Sequence, residues 1–400
     1  MKINVLEEVN KVYRKENPST YFKNKREIKS FVENRKKLLF KLKLPIKIFK
    51  NSKLVDFGSG NGQNTLLYDW LGAKCTLIEY DKKSFHNSKL LFKKYGKQKF
   101  YNINQDIFKL TKYLKKFDIV ISNGVAHHTK DPKKNIKICI NHLKKNVFFI
   151  LGIGNKSGFF QRNIQRLILY KISNNEKEIL KNAKILFREH LNRSVKYSGR
   201  KINEIIYDTY INPKINTLST NEIEEEFKKN KIKLYSSFTE IKKIEDFLNP
   251  SQQFSIKNNK FNNKKNYGLN INDLQELTLT NNQIDYNSNY FIKLKKIFFS
   301  ISKLTRNYDD LNFYDKNILI KTSQIYDIRN KIKKINKIDI LNKNYNVKFF
   351  NEMIEILKIL DLKCKTNVKL KKIKSNLKNS KHIFKKYCGV GMNYYVGYKE

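Results

Sequence analysis

Cysteine is scarce in this chain. Its four residues, Cys75, Cys139, Cys364 and Cys388, are scattered with no C-x-x-C pair. That excludes the usual spacing of a zinc site and the framework of a disulfide-stapled domain, and it points to a reducing compartment. No uncharged apolar run reaches the roughly 18–20 residues of a membrane span. The opening Met1–Glu8 has no apolar stretch of the kind that leads a secreted chain, so a soluble cytoplasmic protein is expected. Acid is short as well: 36 Asp and Glu stand against 83 Lys and Arg, a net charge of +47. Only ten of the cations are Arg. The Lys excess travels with heavy Asn and Ile use, as AT-rich coding would favour, but that does not explain the shortage of acid. Acidic partners therefore stay in play, non-specific nucleic acid or an acidic surface among them. What the 400 residues do hold is 27 Phe, 23 Tyr and 40% hydrophobic side chains, enough for a buried core in two or three domains.

Short apolar runs mark strands at Lys53–Phe57, Cys75–Glu79, Phe100–Ile103, Phe117–Ile121 and Val147–Leu151, with stretches long enough for helices between most of them. Near-continuous apolar strands alternating with helices predict an α/β fold, a parallel sheet covered on both faces. Before them, residues 1–50 form a Lys-rich helical segment closed by Pro45. After Gly154 comes a helical stretch over about 159–210 that carries half of the Arg residues. Ser219-Thr220-Asn221-Glu222 has the spacing of a capping box, opening a helix that ends near Asn230 and precedes a strand at Ile232–Phe238. Residues 257–265 read as a loop. Tyr290–Leu304 and Val347–Leu360 have helical periodicity, Lys369–Lys386 holds eight Lys and no acid, and Met392–Tyr398 reads as a strand.

The chemistry concentrates at Leu54-Val55-Asp56-Phe57-Gly58-Ser59-Gly60-Asn61-Gly62-Gln63. Glycines at 58, 60 and 62 leave a strand and open a helix, so the backbone can turn tightly while N–H groups at the helix start face a ligand. Dinucleotide sites use G-x-G-x-x-G, which would need glycine where Gln63 stands; the spacing here is G-x-G-x-G after an Asp. Glu79 ends the next strand 21 positions beyond Gly58, where a carboxylate can accept both hydroxyls of a ribose.

On these residues the sequence resembles the class I S-adenosylmethionine-dependent methyltransferases, in their small-molecule-type branch. Asp56, Gly58, Ser59, Gly60 and Gly62 look like the motif that holds the methionine part of the cofactor. Ile78-Glu79-Tyr80-Asp81 looks like the end of the second strand, which implies ribose binding by Glu79. Asn104-Gln105-Asp106-Ile107 is similar to the acidic loop after strand three, which implies that Asp106 meets the adenine amine. Phe117–Pro132 is similar to the strand-four motif, with Asn123 beside the methionine end. The usual P-G-G turn before strand five is replaced by Leu143-Lys144-Lys145-Asn146.

The resemblance implies a doubly wound, Rossmann-like seven-stranded sheet with a helical N-terminal segment, a lid and a largely helical C-terminal insertion. The expected division is 1–50 helical segment, 51–155 cofactor core, 156–217 lid, 218–240 core continuation, 241–387 Lys/Asn-rich insertion and 388–400 last core strand. No good partner follows strand six at once, so Met392–Tyr398 is the candidate for strand seven. No metal is implied.

Methyl transfer is an in-line displacement dominated by positioning, with a base needed only where the acceptor must lose a proton. His127 and His128, just past strand four, are the candidate bases, with Tyr207 and Asp208 in the lid as further candidates. The structural reading of the two histidines, packing or holding the loop, stands beside the catalytic one. Asn123-Gly124-Val125-Ala126 lacks the Pro-Pro-aromatic element of base-amine methylases. The expected acceptor is accordingly an O, N or C atom of a small molecule or a glycan or lipid precursor. The alternatives are RNA methylation and nucleic-acid binding on an inactive methyltransferase fold.

Overall fold

A computed structural model describes residues 5–16, 22, 24–110, 116–241, 323, 326, 327, 330, 343–362, 364–377 and 391–400. Seven strands run β1 Lys53–Phe57, β2 Lys74–Glu79, β3 Tyr101–Asn104, β4 Phe117–Asn123, β5 Leu143–Gly154, β6 Ile232–Phe238 and β7 Met392–Lys399. They form one sheet in the order β3-β2-β1-β4-β5-β7-β6. The first five are parallel, and β7 runs antiparallel to both β5 and β6.

The alternation of side chains along each strand fills two apolar layers. Leu54, Leu77, Ile119, Ile121 and Ile150 face one core with Ile28, Val32, Leu39, Leu66 and Phe92. Val55, Phe57, Ile78, Val120 and Phe149 face the other with Ile136, Cys139, Ile223 and Phe227. The first layer is covered by α2 Lys25–Lys41, α3 Gln63–Trp70 and α4 Lys82–Tyr95, the second by α5 Pro132–Asn141 and α10 Thr220–Lys229. Strands buried on both faces explain why they read as continuous apolar runs. The α/β, doubly wound class expected from the sequence is the architecture observed.

Two helix starts follow from their caps. Asp131 accepts from the Lys134 backbone N–H and Pro132 takes the first turn of α5. Ser219 and Glu222 cap α10 reciprocally. Where the sequence reads one helical stretch over 159–210, the chain breaks it into α6 Phe160–Ile172, α7 Glu176–Leu186, α8 Arg188–Ser198 and α9 Ile202–Ile206, followed by a π-helical turn at Tyr207–Ile211. Asn175 caps α7, and Gly199, at φ +68°, ends α8. A further helix, α1 Val5–Lys15, precedes α2.

β7 fits because Gly397 has no side chain: a Cβ there would lie 2.4 Å from Ile232 Cγ2 and 3.0 Å from the Phe227 ring. Strand five starts at Leu143 and reaches Gly154, longer than the apolar run predicts: Leu143 pairs with Phe117 of β4, and β7 pairs along the strand from Val147 to Gly154. Beyond β6 the helices Lys343–Asp361 and Thr366–Leu377 are described. The expected loop at 257–265, the Tyr290–Leu304 periodicity and the end of the Lys369–Lys386 run lie outside the described residues. Among the described residues no helix is long and apolar enough to cross a membrane, and no cluster of His, Cys, Asp and Glu could hold a metal ion.

Candidate active site

The sheet order reverses between β1 and β4, and in open α/β sheets the crevice at the carboxyl ends of such strands is where ligands bind. The glycine loop leaves β1 at that point. Gly58 has φ +77°, and a Cβ on it would sit 2.6 Å from Val125 Cγ2, so only glycine lets the loop pass under the segment after β4. Gly60 and Gly62 are also left-handed, at +55° and +83°, and Gly62 is the residue that starts α3.

Glu79 joins the loop to β2. Its Oε2 accepts from Gly60 N–H at 2.8 Å and its Oε1 from Asp81 N–H at 2.9 Å. Burial raises its pKa, with those backbone donors opposing. Asp56 lies beneath the loop, 2% exposed. Its Oδ2 accepts from Thr65 Oγ1 at 2.6 Å, tying β1 to α3. Burial pushes its carboxyl up to about 7, against the pull of Thr65. Ser59 Oγ and Asn61 Nδ2 are buried without a partner. Asp106 spends Oδ1 on the Phe108 N–H at 2.9 Å. Asn123 ends β4 with its Oδ1 against Gly152, where a Cβ would come within 2.3 Å.

His127 and His128 form a single buried turn after β4, 3% and 9% exposed, with ring centroids 4.1 Å apart. The sequence brackets them together; the structure separates their roles. His127 Nδ1 accepts from the Gly154 backbone N–H at 3.3 Å, and its carbonyl accepts from Asn216 N–H at 2.6 Å. It holds the turn against β5 and the segment that carries Asn216, and burial drives its pKa well down.

His128 Nδ1 lies 3.0 Å from the Lys214 carbonyl oxygen. A carbonyl can only accept, so Nδ1 carries the hydrogen and Nε2 presents a lone pair. That Nε2 is 3.6 Å from Asp208 Oδ1. Burial lowers the His128 pKa, opposed by Asp208.

Asp208, on the π-helical turn, gathers three more groups. Arg200 Nη1 donates to Oδ2 at 3.0 Å, and Tyr13 Oη from α1 donates to Oδ1 at 3.4 Å. Asn212 Nδ2 in turn donates to Tyr13 Oη at 3.1 Å. Burial alone would raise the Asp208 carboxyl; Arg200 and His128 outweigh it and hold the group low. Burial, then Asp208, push the Tyr13 phenol well above its ordinary pKa, so it stays a donor. The Tyr13 ring stands edge-on to His128, 5.8 Å between centroids. Tyr207, the other lid candidate, faces away to hydrogen-bond Glu176, which also pairs with Lys15.

Sequence reasoning reached His128 and Asp208 but missed Tyr13, Arg200 and Asn212. The Arg-rich stretch was visible, but its aim was not; Tyr13 has no local signal at all. Helix α1 also touches the glycine-loop side, where Arg14 Nε donates to Asp81 Oδ1 at 3.0 Å. It therefore bridges the cluster and the end of β2.

A family model described as a methyltransferase domain matches residues 55–151. The chain is 30% identical over 118 residues to a ubiquinone biosynthesis O-methyltransferase of Pelagibacter ubique. That match takes in 30% of this chain and 48% of that protein, so it spans about half the length of the curated relative. Similar solved structures include a putative methyltransferase from Bacillus halodurans, with 13% identity, 51% of this chain and 71% of that one covered, and a TM-score of 0.33. Another is a magnesium protoporphyrin IX methyltransferase from Synechocystis with bound SAH, with 12% identity, coverages of 58% and 85%, and a TM-score of 0.32. With a doubly wound sheet, a glycine loop at its switch point and a family match from Val55 to Leu151, the chain carries a class I S-adenosylmethionine-dependent methyltransferase domain.

Proposed function

We propose that the chain methylates an O, N or C atom of a small molecule or a glycan or lipid precursor, and that a hydroxyl is the acceptor its site suits best. The residues present fit S-adenosylmethionine. The loop offers unpartnered polar atoms at Ser59 and Asn61, and Glu79 has lone pairs left for ribose hydroxyls beyond its two backbone donors. In this reading Gly58, Ser59, Gly60, Gly62 and Asn123 hold the methionine part, Asp56 braces the loop from below, and Asp106 takes the adenine amine. When bound, the cofactor supplies a methyl group on a sulfonium that departs as a neutral thioether.

The observation that carries the proposal is the pair of acceptors, His128 Nε2 and Asp208 Oδ1, 3.6 Å apart and enclosed by α1 and the lid turn. Two lone pairs facing each other make a place for a group that brings a proton. An acceptor hydroxyl donates to His128 Nε2; as its oxygen gains the methyl group, the O–H proton passes to Nε2. The imidazolium so formed lies beside Asp208, whose carboxylate stays ionised through Arg200. Tyr13 and Asn212 keep that carboxylate in place.

Calorimetry with S-adenosylmethionine, followed by labelled-methyl transfer to a metabolite extract with and without His128→Gln, tests the reading. Binding retained and transfer lost in the variant is the expected result. Absence of cofactor binding, or transfer indifferent to His128, would sink it. RNA methylation is the competing reading, and incorporation into a defined RNA at physiological salt would favour it. Non-specific binding to a chain of charge +47 falls by orders of magnitude between about 50 and 200 mM salt.

A further inference from the structure

Arg166 on α6 is 2% exposed. Its Nε donates to Tyr170 Oη at 2.8 Å, and its guanidinium lies over the same ring, 5.1 Å from the centroid. Its Nη2 is buried with no partner, and among the described residues no carboxylate pairs with it. Tyr170 donates onward to the Tyr210 carbonyl, which fastens the guanidinium to the turn that carries Asp208. Arg200, also on Asp208, spends Nη1 there and leaves its own Nε buried and unpartnered. Asp208 pairs with Arg200, so the charge of Arg166 is left without a carboxylate partner among the described residues. Both arginines bear on His128, each lowering its pKa behind burial. A buried, uncompensated guanidinium is expensive to keep.

We propose that Arg166 is the seat for an oxyanion, a carboxylate or a phosphate, borne by the methyl acceptor close to its reacting group. This rests on reading the His128–Asp208 pair as the acceptor site. A planar guanidinium with free N–H groups matches two oxygens of such an anion at once, and the ligand's charge offsets that of Arg166. The acceptor class is then an acidic hydroxy compound, and a neutral one of the same shape is selected against.

The test uses the full chain saturated with S-adenosylhomocysteine at constant ionic strength. Benzoate, acetate and inorganic phosphate are titrated by calorimetry against wild type, Arg166→Met and Arg166→Lys. Non-specific anion binding to the basic surface is common to all three proteins and cancels. Saturable binding of benzoate or phosphate, weakened at least tenfold by Met and three- to tenfold by Lys, is expected. Which of the two anions binds tells a carboxylate seat from a phosphate seat. Equal binding to wild type and variants, or no saturable binding to wild type, overturns the proposal. Should Arg166→Met not fold, as its melting curve reports, Arg166→Lys carries the comparison.

A second arm measures methyl transfer to 2-, 3- and 4-hydroxybenzoate against the corresponding hydroxybenzamides. A tenfold rise in KM for the acids and none for the amides, on Arg166→Lys, supports the seat. Wild-type preference for the amides overturns it while leaving methyl transfer intact. Anion binding that depends on Arg166, with no transfer to either series, supports the seat and counts against the proposed function.

Discussion

Tyr13 and Asp208 are 195 residues apart in the chain, and the phenol of one donates to the carboxylate of the other at 3.4 Å. The bond makes a helix outside the sheet part of the candidate active site. Tyr13→Phe keeps the ring against His128 and removes only the hydroxyl. A hydrogen bond to a charged group is worth about 1.5–3 kcal/mol, and at 3.4 Å this one belongs at the low end, so methyl transfer should slow about tenfold with cofactor affinity unchanged. Steady-state kinetics paired with calorimetry checks it, and an unchanged kcat would remove Tyr13 from the machinery.

The pH dependence follows from His128. A base must be unprotonated to act, and burial places its pKa below the ordinary imidazole value. The acid limb of kcat/KM should therefore lie below about pH 6.5, with activity lost as pH falls through it. Asp208 raises the His128 pKa, so Asp208→Asn should move that limb to still lower pH while reducing the plateau rate. A limb that stays in place on this substitution would show that Asp208 does not act on the base.

At the cofactor side, Glu79→Ala should weaken S-adenosylmethionine binding ten- to a hundredfold, since a hydrogen bond to a charged group is worth about 1.5–3 kcal/mol. It also frees the Gly60 N–H that Glu79 now holds at 2.8 Å. Gly60→Val should abolish binding by placing a branched side chain in the loop. Unaltered titrations for both variants would count against the loop as the binding element.

Asp56 gives a stability prediction with a definite sign. Its folded pKa of about 7 exceeds the ordinary 3.8, so the folded chain holds a proton that the unfolded chain has lost in between. The stabilisation is fully present below about pH 4 and is lost as pH rises toward 7, on the order of 4 kcal/mol at most. Asp56→Asn, which can still accept from Thr65, should flatten the melting temperature across that window. Melting curves from pH 5 to 8 on both proteins would expose a failure of this account.

How much was legible in the sequence depended on how local the cause was. The glycine loop, Glu79 and the Ser219–Glu222 cap are set by neighbours within a few residues or one strand–helix unit, and each is found where its pattern lies. β6 also matches its apolar run, Ile232–Phe238. β5 overran its pattern at both ends because its partners lie elsewhere in the chain: Leu143 meets Phe117 of β4, and Ile153 and Gly154 meet β7. The arginines between 162 and 200 were visible as composition, but their direction depends on how the helices α6 to α9 stack. Tyr13 is one aromatic residue among 50 Phe and Tyr, and only the folded chain sets it apart.

β7 separates β5 from β6, yet residues 239–391 lie between β6 and β7 in the chain. During synthesis the first six strands emerge well before the one that joins the sixth to the fifth. At about 5–20 residues per second, that interval lasts roughly 10–30 s. Throughout it, β5 presents an open edge and β6 has no partner in the sheet. The nascent chain therefore passes through a stage in which the glycine loop and parallel strands can form while the sheet is still unsealed. Substitutions at Gly397, such as Gly397→Val, should reveal that stage as aggregation of newly made chains, beyond any loss of stability in the finished fold.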